Sequence, residues 1–175
     1  MATQINVEVL ADKVEARIQQ LQAKAADTSR VFATIGRVLV NRIRLGFAQG
    51  RSPKGAPWAP LKSRLGQPLL DKGRLRRSIS SRAGNGFVEV GTNLRVGNGS
   101  ASLGAVHQFG ATVTPKKAKL LAFRIQGRLV FAKKVEIPAR PFMPMTPAGQ
   151  IDMPPAWSKG ILQELAKHLG LGVPA

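Results

Sequence analysis

His107 and His168 are the only imidazoles of a 175-residue chain that has no cysteine, so thiolate chemistry and Cys-ligated zinc are excluded at once. Neither histidine has a second His or Cys at ligand spacing, and no bound metal is expected. The nine Asp and Glu form no set of the kind that a metal-dependent nuclease uses to hold its ions. Ser78, Ser80 and Ser81 lack a recognisable activating base. Gly91-Thr92 and Gly97-Asn98-Gly99 look like fragments of phosphate loops, but no GxxxxGK[ST] follows a strand, and they read as turns. His107 has the stronger claim of the two histidines, because Gln108, Phe109 and Gly110 follow it. In a short apolar segment it is expected to hold a turn through a ring nitrogen. No catalysis and no cofactor are expected.

The elements that would carry these residues follow from periodicity and punctuation. Leu10, Val14, Ile18 and Leu21 recur at helical spacing between residues 7 and 24, with Asn6 as a cap. Asp27-Thr28-Ser29 offers a second cap, and Val31, Phe32, Ile35, Val38, Leu39, Ile43 and Phe47 continue a more apolar helix to about residue 48, which should bury itself against a sheet. Its outer face should carry Arg30, Arg37, Arg42 and Arg44, with their stems covering apolar surface. A short helix over 71–81, capped by Asp71, would place Leu75 and Ile79 on one face; Gly73 weakens it. Strands are expected at 86–91 and 111–114, a hairpin at 120–132 closed by Gln126-Gly127, and a short helix at 103–109 ended by Gly110. Asn93 to Ser102 reads as a loop. Pro154-Pro155 opens a C-terminal helix marked by Trp157, Ile161, Leu162, Leu165 and Leu169.

Helices, then strands, then a helix make an α+β fold: an antiparallel sheet packed by a long N-terminal helix, with extended loops and a C-terminal helix. The expected organisation is one domain over 1–175. Residues 1–26 form an N-terminal helical extension, and 143–175 a Pro-rich arm and helix. Glu8, Asp12 and Glu15 interrupt any signal-peptide pattern, and no apolar run is long enough to span a bilayer, so no membrane association is expected.

Charge is the strongest compositional signal, with 27 Lys and Arg against 9 Asp and Glu. Thirteen of those bases, against Asp71 alone, lie between residues 30 and 82. Arg51, Lys54, Lys62, Arg64, Arg74, Arg76 and Arg77 are the candidates from that stretch to meet DNA or an acidic partner. It contains a Pro- and Gly-rich loop from Gln49 to Gln67, longer than is usual inside a compact fold. Trp58 should pin that loop either to the body or to a neighbouring subunit.

The loop also opens a run of short signatures. Pro53-Lys54-Gly55-Ala56-Pro57-Trp58-Ala59-Pro60-Leu61 is followed by Pro68-Leu69, Gly73-Arg74-Leu75 with Ser78-Ile79, Val90-Gly91-Thr92, His107-Gln108-Phe109-Gly110 and Ala139-Arg140-Pro141-Phe142. In this order they resemble the phage virion morphogenesis family of Mu-like tailed phages, over roughly residues 30 to 145, about two-thirds of the chain. The chain departs from the family pattern at Lys72, where a small hydroxyl residue is usual, and before Ala105, where an aromatic is missing.

The resemblance implies a structural virion protein of the head–tail junction, with a neck, tail-completion or tail-terminator role, made and assembled in the host cytoplasm. It implies a homo-oligomeric ring, hexamer or dodecamer, that joins the tail to the head around the genome path. Partners would be other neck, portal-side and tail-tube proteins, with weak transient contact to genomic DNA. Trp58, Leu61, His107, Phe109, Arg140 and Phe142 are then the candidate subunit or partner contacts. Trp58 and Phe142 would fill apolar pockets of a neighbour or of the chain's own core, and Arg140 would pair with an acid. The alternative is a non-enzymatic, basic nucleic-acid-binding accessory protein, which explains the charge but not the order of the motifs.

Overall fold

The second helix organises the molecule. In the computed structural model, which describes residues 7–96, 101–116, 118–125 and 127–171, α1 spans Val7–Ala26 and α2 spans Ser29–Gln49. The Asn6 cap lies outside the described residues. Val31, Ile35, Leu39, Val40, Ile43 and Phe47 form one buried stripe along α2, as its periodicity predicts. Gly50 closes the helix with a left-handed φ of 67°, a conformation that costs a glycine nothing.

A hairpin of β1 (Ser80–Gly84) and β2 (Phe87–Gly91) lies on this stripe. Gly36 permits the close approach: a Cβ there would stand 2.9 Å from the Ser81 side chain and 3.1 Å from Val88. Val88 and Val90 turn toward α2, while Phe87 is exposed. The hairpin turn also locks the junction between α1 and α2. Asn85 Oδ1 accepts from Thr28 N and from the Thr28 hydroxyl, Asn85 Nδ2 donates to Ala26 O, and Gly86 N donates to Thr28 Oγ1. Thr28 is therefore not a side-chain cap of α2; its hydroxyl is committed to the turn.

Two apolar clusters result. Val31, Ile35 and Leu39 pack with Phe32, Val88, Met153, Ile161 and Leu165, while Val40, Ile43, Phe47, Trp58, Leu75, Ile79 and Phe142 form the other. Val90 and Trp157 touch both. Each large side chain fully removed from water contributes about 1.5–3 kcal/mol. Trp157 begins α5 (Pro155–Leu169), which packs on α2 and α1. There the Arg42 guanidinium stacks 5.7 Å from the Trp157 ring, and His168 Nε2 meets Lys24 O at 3.1 Å.

The remaining elements are short: α3 (Arg74–Ser78), β3 (Arg95–Val96), β4 (Ala101–Ser102), α4 (Leu103–Phe109), β5 (Ala111–Val113), β6 (Leu121–Ile125), β7 (Arg128–Ala132) and β8 (Val135–Ile137). Among the described residues there are four ladders, all antiparallel and two-stranded: β1 with β2, β3 with β4, β5 with β8 and β6 with β7. The fold is α+β, with the sheet content divided among these small units. Helix α3 starts at Arg74, later than the spacing predicts, because Gly73 is its left-handed cap and Asp71 makes no capping bond. Arg42 and Arg44 do not lie on an outer face: Arg42 stacks on Trp157, and Arg44 Nη2 donates to Ile79 O at 2.9 Å. Gln126 of the hairpin turn and Gly97-Asn98-Gly99 lie outside the described residues.

Candidate functional site

The ordered motifs converge on one internal node beside Phe47. The loop after α2 first closes on itself: Ser52 N donates to Ala56 O at 2.8 Å, and Trp58 N donates to Gly50 O at 2.9 Å. That turn aims the Trp58 ring inward, where it meets Phe47 edge-on at 5.4 Å between centroids. Phe142 meets Phe47 from another side at 5.3 Å. The Trp58 Nε1–H donates to Pro141 O at 2.7 Å, so the indole satisfies its one polar atom inside the core.

Arg140, 5% exposed, reaches back to the same loop. Its Nε donates to Ala59 O at 2.8 Å and one terminal nitrogen to Pro60 O at 3.0 Å. Among the described residues of this chain its partners are thus two carbonyls and no acid. A proline-rich loop leaves carbonyls without a strand or helix to receive them, and a planar guanidinium meets two at once. Burial pulls its pKa below the ordinary value for arginine, yet an arginine stays charged in a protein.

Helix α4 supplies the third side. Ser102 caps it by accepting from Ala105 N, and Gly110 ends it at φ 76° and ψ 172°. A Cβ at Gly110 would stand 2.8 Å from Ile137 O and 3.0 Å from Ala139 N, so neither the backbone angle nor the space admits a side chain. The chain returning from β8 therefore runs close beneath α4, and Arg140 N donates to His107 O at 2.7 Å. Gln108 completes the connection. Its Oε1 accepts from Phe142 N and Met143 N, both at 2.9 Å, and its Nε2 donates to Met143 O at 3.0 Å and to Met145 O at 3.4 Å. One buried amide thus replaces the strand that the 142–145 segment lacks.

The remaining signatures join the same body. The Ser78 hydroxyl donates to Leu75 O at 2.8 Å and lies 2.6 Å from Thr92 Oγ1. Leu75 and Ile79 are buried beneath them. Ser78 is therefore held between a carbonyl and another hydroxyl.

His107 does not hold its turn through the ring. Its backbone carbonyl does so, while Nδ1 is enclosed without a hydrogen-bond partner. Burial first, and then the Arg140 charge, hold its imidazole below the usual 6.5. The unfolded chain consequently takes up the proton first. Stability from this site should be complete above about pH 6.5 and decline as pH falls toward the depressed folded value. Thermal melts from about pH 8 down to 5 should show that loss in the wild type, and His107→Gln should remove its slope. An equal slope in both proteins would contradict the assignment.

Of the other residues singled out from sequence, Leu61 is half-buried and lines an open cleft of about 450 Å³ with Leu75, Leu103, His107 and Arg140. Phe109 is exposed. Arg51, Lys62, Arg74 and Arg77 are exposed, and Arg76 is half-buried. Lys54 pairs with Asp152. Arg64 is half-buried and donates to Leu65 O and Gln67 O of its own loop. Gln108 is the residue that sequence reasoning missed. Its signal was an amide four residues after Gly104 on the buried side of a short helix, a position that demands bonded partners. Among the described residues no group of three or more His, Asp or Glu could hold a metal, and no helix is long and apolar enough to cross a membrane.

The sequence profile of the phage virion morphogenesis family matches residues 9–155. The chain belongs to that family. It is similar to the Mu-like prophage FluMu G protein 2 of Haemophilus influenzae, with 29% identity over 143 residues that cover 82% of this chain and 85% of the relative. No solved structure matches it. In this virion morphogenesis protein the signatures are packing and hydrogen-bonding positions of one interior node.

Proposed function

We propose that the protein is a non-enzymatic structural part of the phage head–tail junction, with a neck, tail-completion or tail-terminator role, working as a homo-oligomeric ring around the genome path. One observation carries this reading: the motifs that run in the family's order are spent on an internal latch of Trp58, Gln108, Arg140 and Phe142. What they build is a shape, and a fixed shape serves assembly. Similarity to a Mu-like G protein supports a place among tail-associated components. Partners are further copies of the chain and neighbouring neck, portal-side and tail-tube proteins.

The exposed cations of the 30–82 stretch suit acidic surfaces of such partners, with weak phosphate contact, since tight DNA binding would hinder a genome that has to slide. Electron microscopy of purified protein and of intact particles carrying a labelled copy should place a ring at the head–tail junction. A label found elsewhere in the particle would refute the assignment. Duplex DNA binding that stays tight at physiological salt would favour the accessory nucleic-acid-binding reading instead.

A further inference from the structure

The open cleft of about 450 Å³ beside Leu61 lies between the loop after α2, helices α3 and α4, and Arg140. Leu61, Leu69, Leu75 and Leu103 make its lining apolar. Four cations, Arg64, Lys72, Arg74 and Arg140, share that lining with Asp71 as the one acid. Arg64 and Arg140 direct donors to carbonyls, which fix the guanidinium groups but leave their charges uncompensated. Lys72 and Arg74 are exposed, and neither forms an ion pair among the described residues.

His107 lines the same cleft, with its Nδ1 enclosed and unpartnered. An enclosed nitrogen that finds no acceptor is best left without a proton, so the neutral ring keeps its proton on Nε2 and can donate there. Burial first, and then the Arg140 charge, lower the His107 pKa, and the second of these belongs to the same positive field. Leu69 holds a φ of 60°, the only non-glycine in the left-handed region among the described residues. Backbone strain of this kind gathers at ligand clamps. Leu65, the residue after Arg64, is 89% exposed, which sets a bare apolar side chain on the same loop.

These features select an occupant. Apolar surface inside a cleft is best covered by an apolar side chain, and uncompensated cations beside it attract carboxylates. Nucleic acid would answer the cations, but its phosphates give the leucines nothing to pack on. Among the described residues no Phe, Tyr or Trp lines the cleft for a base to stack on. We infer that the cleft docks an acidic peptide segment of a partner protein, with a leucine or phenylalanine side chain seated among Leu61, Leu69, Leu75 and Leu103 and flanking carboxylates on Lys72 and Arg74. The inference rests on the reading above of a junction protein with acidic partners, and it gives that contact a place on the surface.

His107 and His168, the chain's two histidines, provide a local reporter and a control. In nuclear magnetic resonance titrations with the end-capped peptide Glu-Asp-Leu-Phe-Glu-Asp, the His107 ring signals should move while those of His168, on α5, stay. Lys72→Glu combined with Arg74→Glu should weaken binding about tenfold or more. Both side chains are exposed, so the melting temperature should not change. Replacing Leu-Phe of the peptide by Ser-Ser should weaken binding to a similar degree. The proposal is overturned if the His107 signals stay fixed up to millimolar peptide, or if the double variant or the Ser-Ser peptide binds as well as the originals. It is also overturned if a short duplex DNA moves the same signals equally at physiological salt. Because the chain has no cysteine, a photo-crosslinker on Lys72→Cys labels the cleft alone. In particles it should join an acidic, leucine- or phenylalanine-bearing segment of another virion protein; joining to DNA or to a second copy instead overturns the proposal. A cleft that takes no peptide, in a protein that microscopy still finds at the head–tail junction, overturns the docking site and leaves the assembly reading standing. A cleft that takes the peptide in a protein absent from the junction overturns that reading alone.

Discussion

Gln108→Leu is expected to lower the free energy of unfolding by about 3–5 kcal/mol, because the side chain fills the space but abandons the polar groups it served. Phe142 N and Met143 N both donate to Gln108 Oε1, and Met143 O receives from Nε2. Phe142 is 3% exposed, so its N–H cannot turn to water. Each buried group left unpaired costs about 1–3 kcal/mol. Against a total stability of about 5–15 kcal/mol for a typical protein, the loss is large. Gln108→Glu keeps the acceptor but buries a charge against the carbonyls of Met143 and Met145, and its loss should be at least as large as that of Gln108→Leu. Urea unfolding of the three proteins orders them. A Gln108→Leu midpoint equal to that of the wild type would mean that the 142–145 segment is held by other contacts.

Trp58→Ala should be as severe, at about 3–5 kcal/mol, since it empties the space beside Phe47 and removes the hydrogen bond to Pro141 O. Trp58→Phe separates the two contributions. It keeps an aromatic ring against Phe47 but leaves the Pro141 carbonyl without its donor, for a smaller loss of about 1–3 kcal/mol. The loss should appear in the isolated monomer and be independent of protein concentration. A residue that served only a neighbouring subunit would leave monomer unfolding untouched and shift assembly alone. Assembly defects of Trp58 and Phe142 variants are therefore expected to follow from a loosened core.

That contrast bears on how the molecule works. The latch ties three segments that lie more than thirty residues apart, namely the loop after α2, helix α4 and the return from β8, into one body. Such stiffness suits a protein of the virion morphogenesis family. The basic stretch is used partly in the same way: Arg42 covers Trp157, Arg44 donates to Ile79 O at the end of α3, and Arg64 binds its own loop. These cations hold internal carbonyls and rings, which leaves less of the stretch for a polyanion than its composition suggests.

The helices were legible in the sequence. Helix α2 follows the Val31-to-Phe47 stripe, α4 stops at Gly110 and α5 starts at Pro155, because helix period and glycine or proline punctuation act within a few residues. The β6–β7 hairpin was legible for the same reason. Strands β1, β3, β4 and β8 were not: Arg95–Val96 and Ala101–Ser102 pair within a stretch that reads as a loop. Ser80–Gly84 holds no β-branched or aromatic residue and becomes a strand by pairing with β2 on the surface that Gly36 leaves open. Val135–Ile137 is only three residues long and exists through its pairing with β5.

By itself, then, the sequence determined the kind of fold, the family and the places where helices begin and end, since these rest on local periodicity and on ordered motifs. It also marked Trp58, Arg140 and Phe142 as residues that matter. Only the tertiary structure decided what they touch. Arg140 finds its carbonyls eighty residues away, Trp58 its acceptor at Pro141, and Gln108 its four bonds between 142 and 145. The partner of a buried polar group is chosen by the way distant segments pack, and no spacing along the chain encodes that choice.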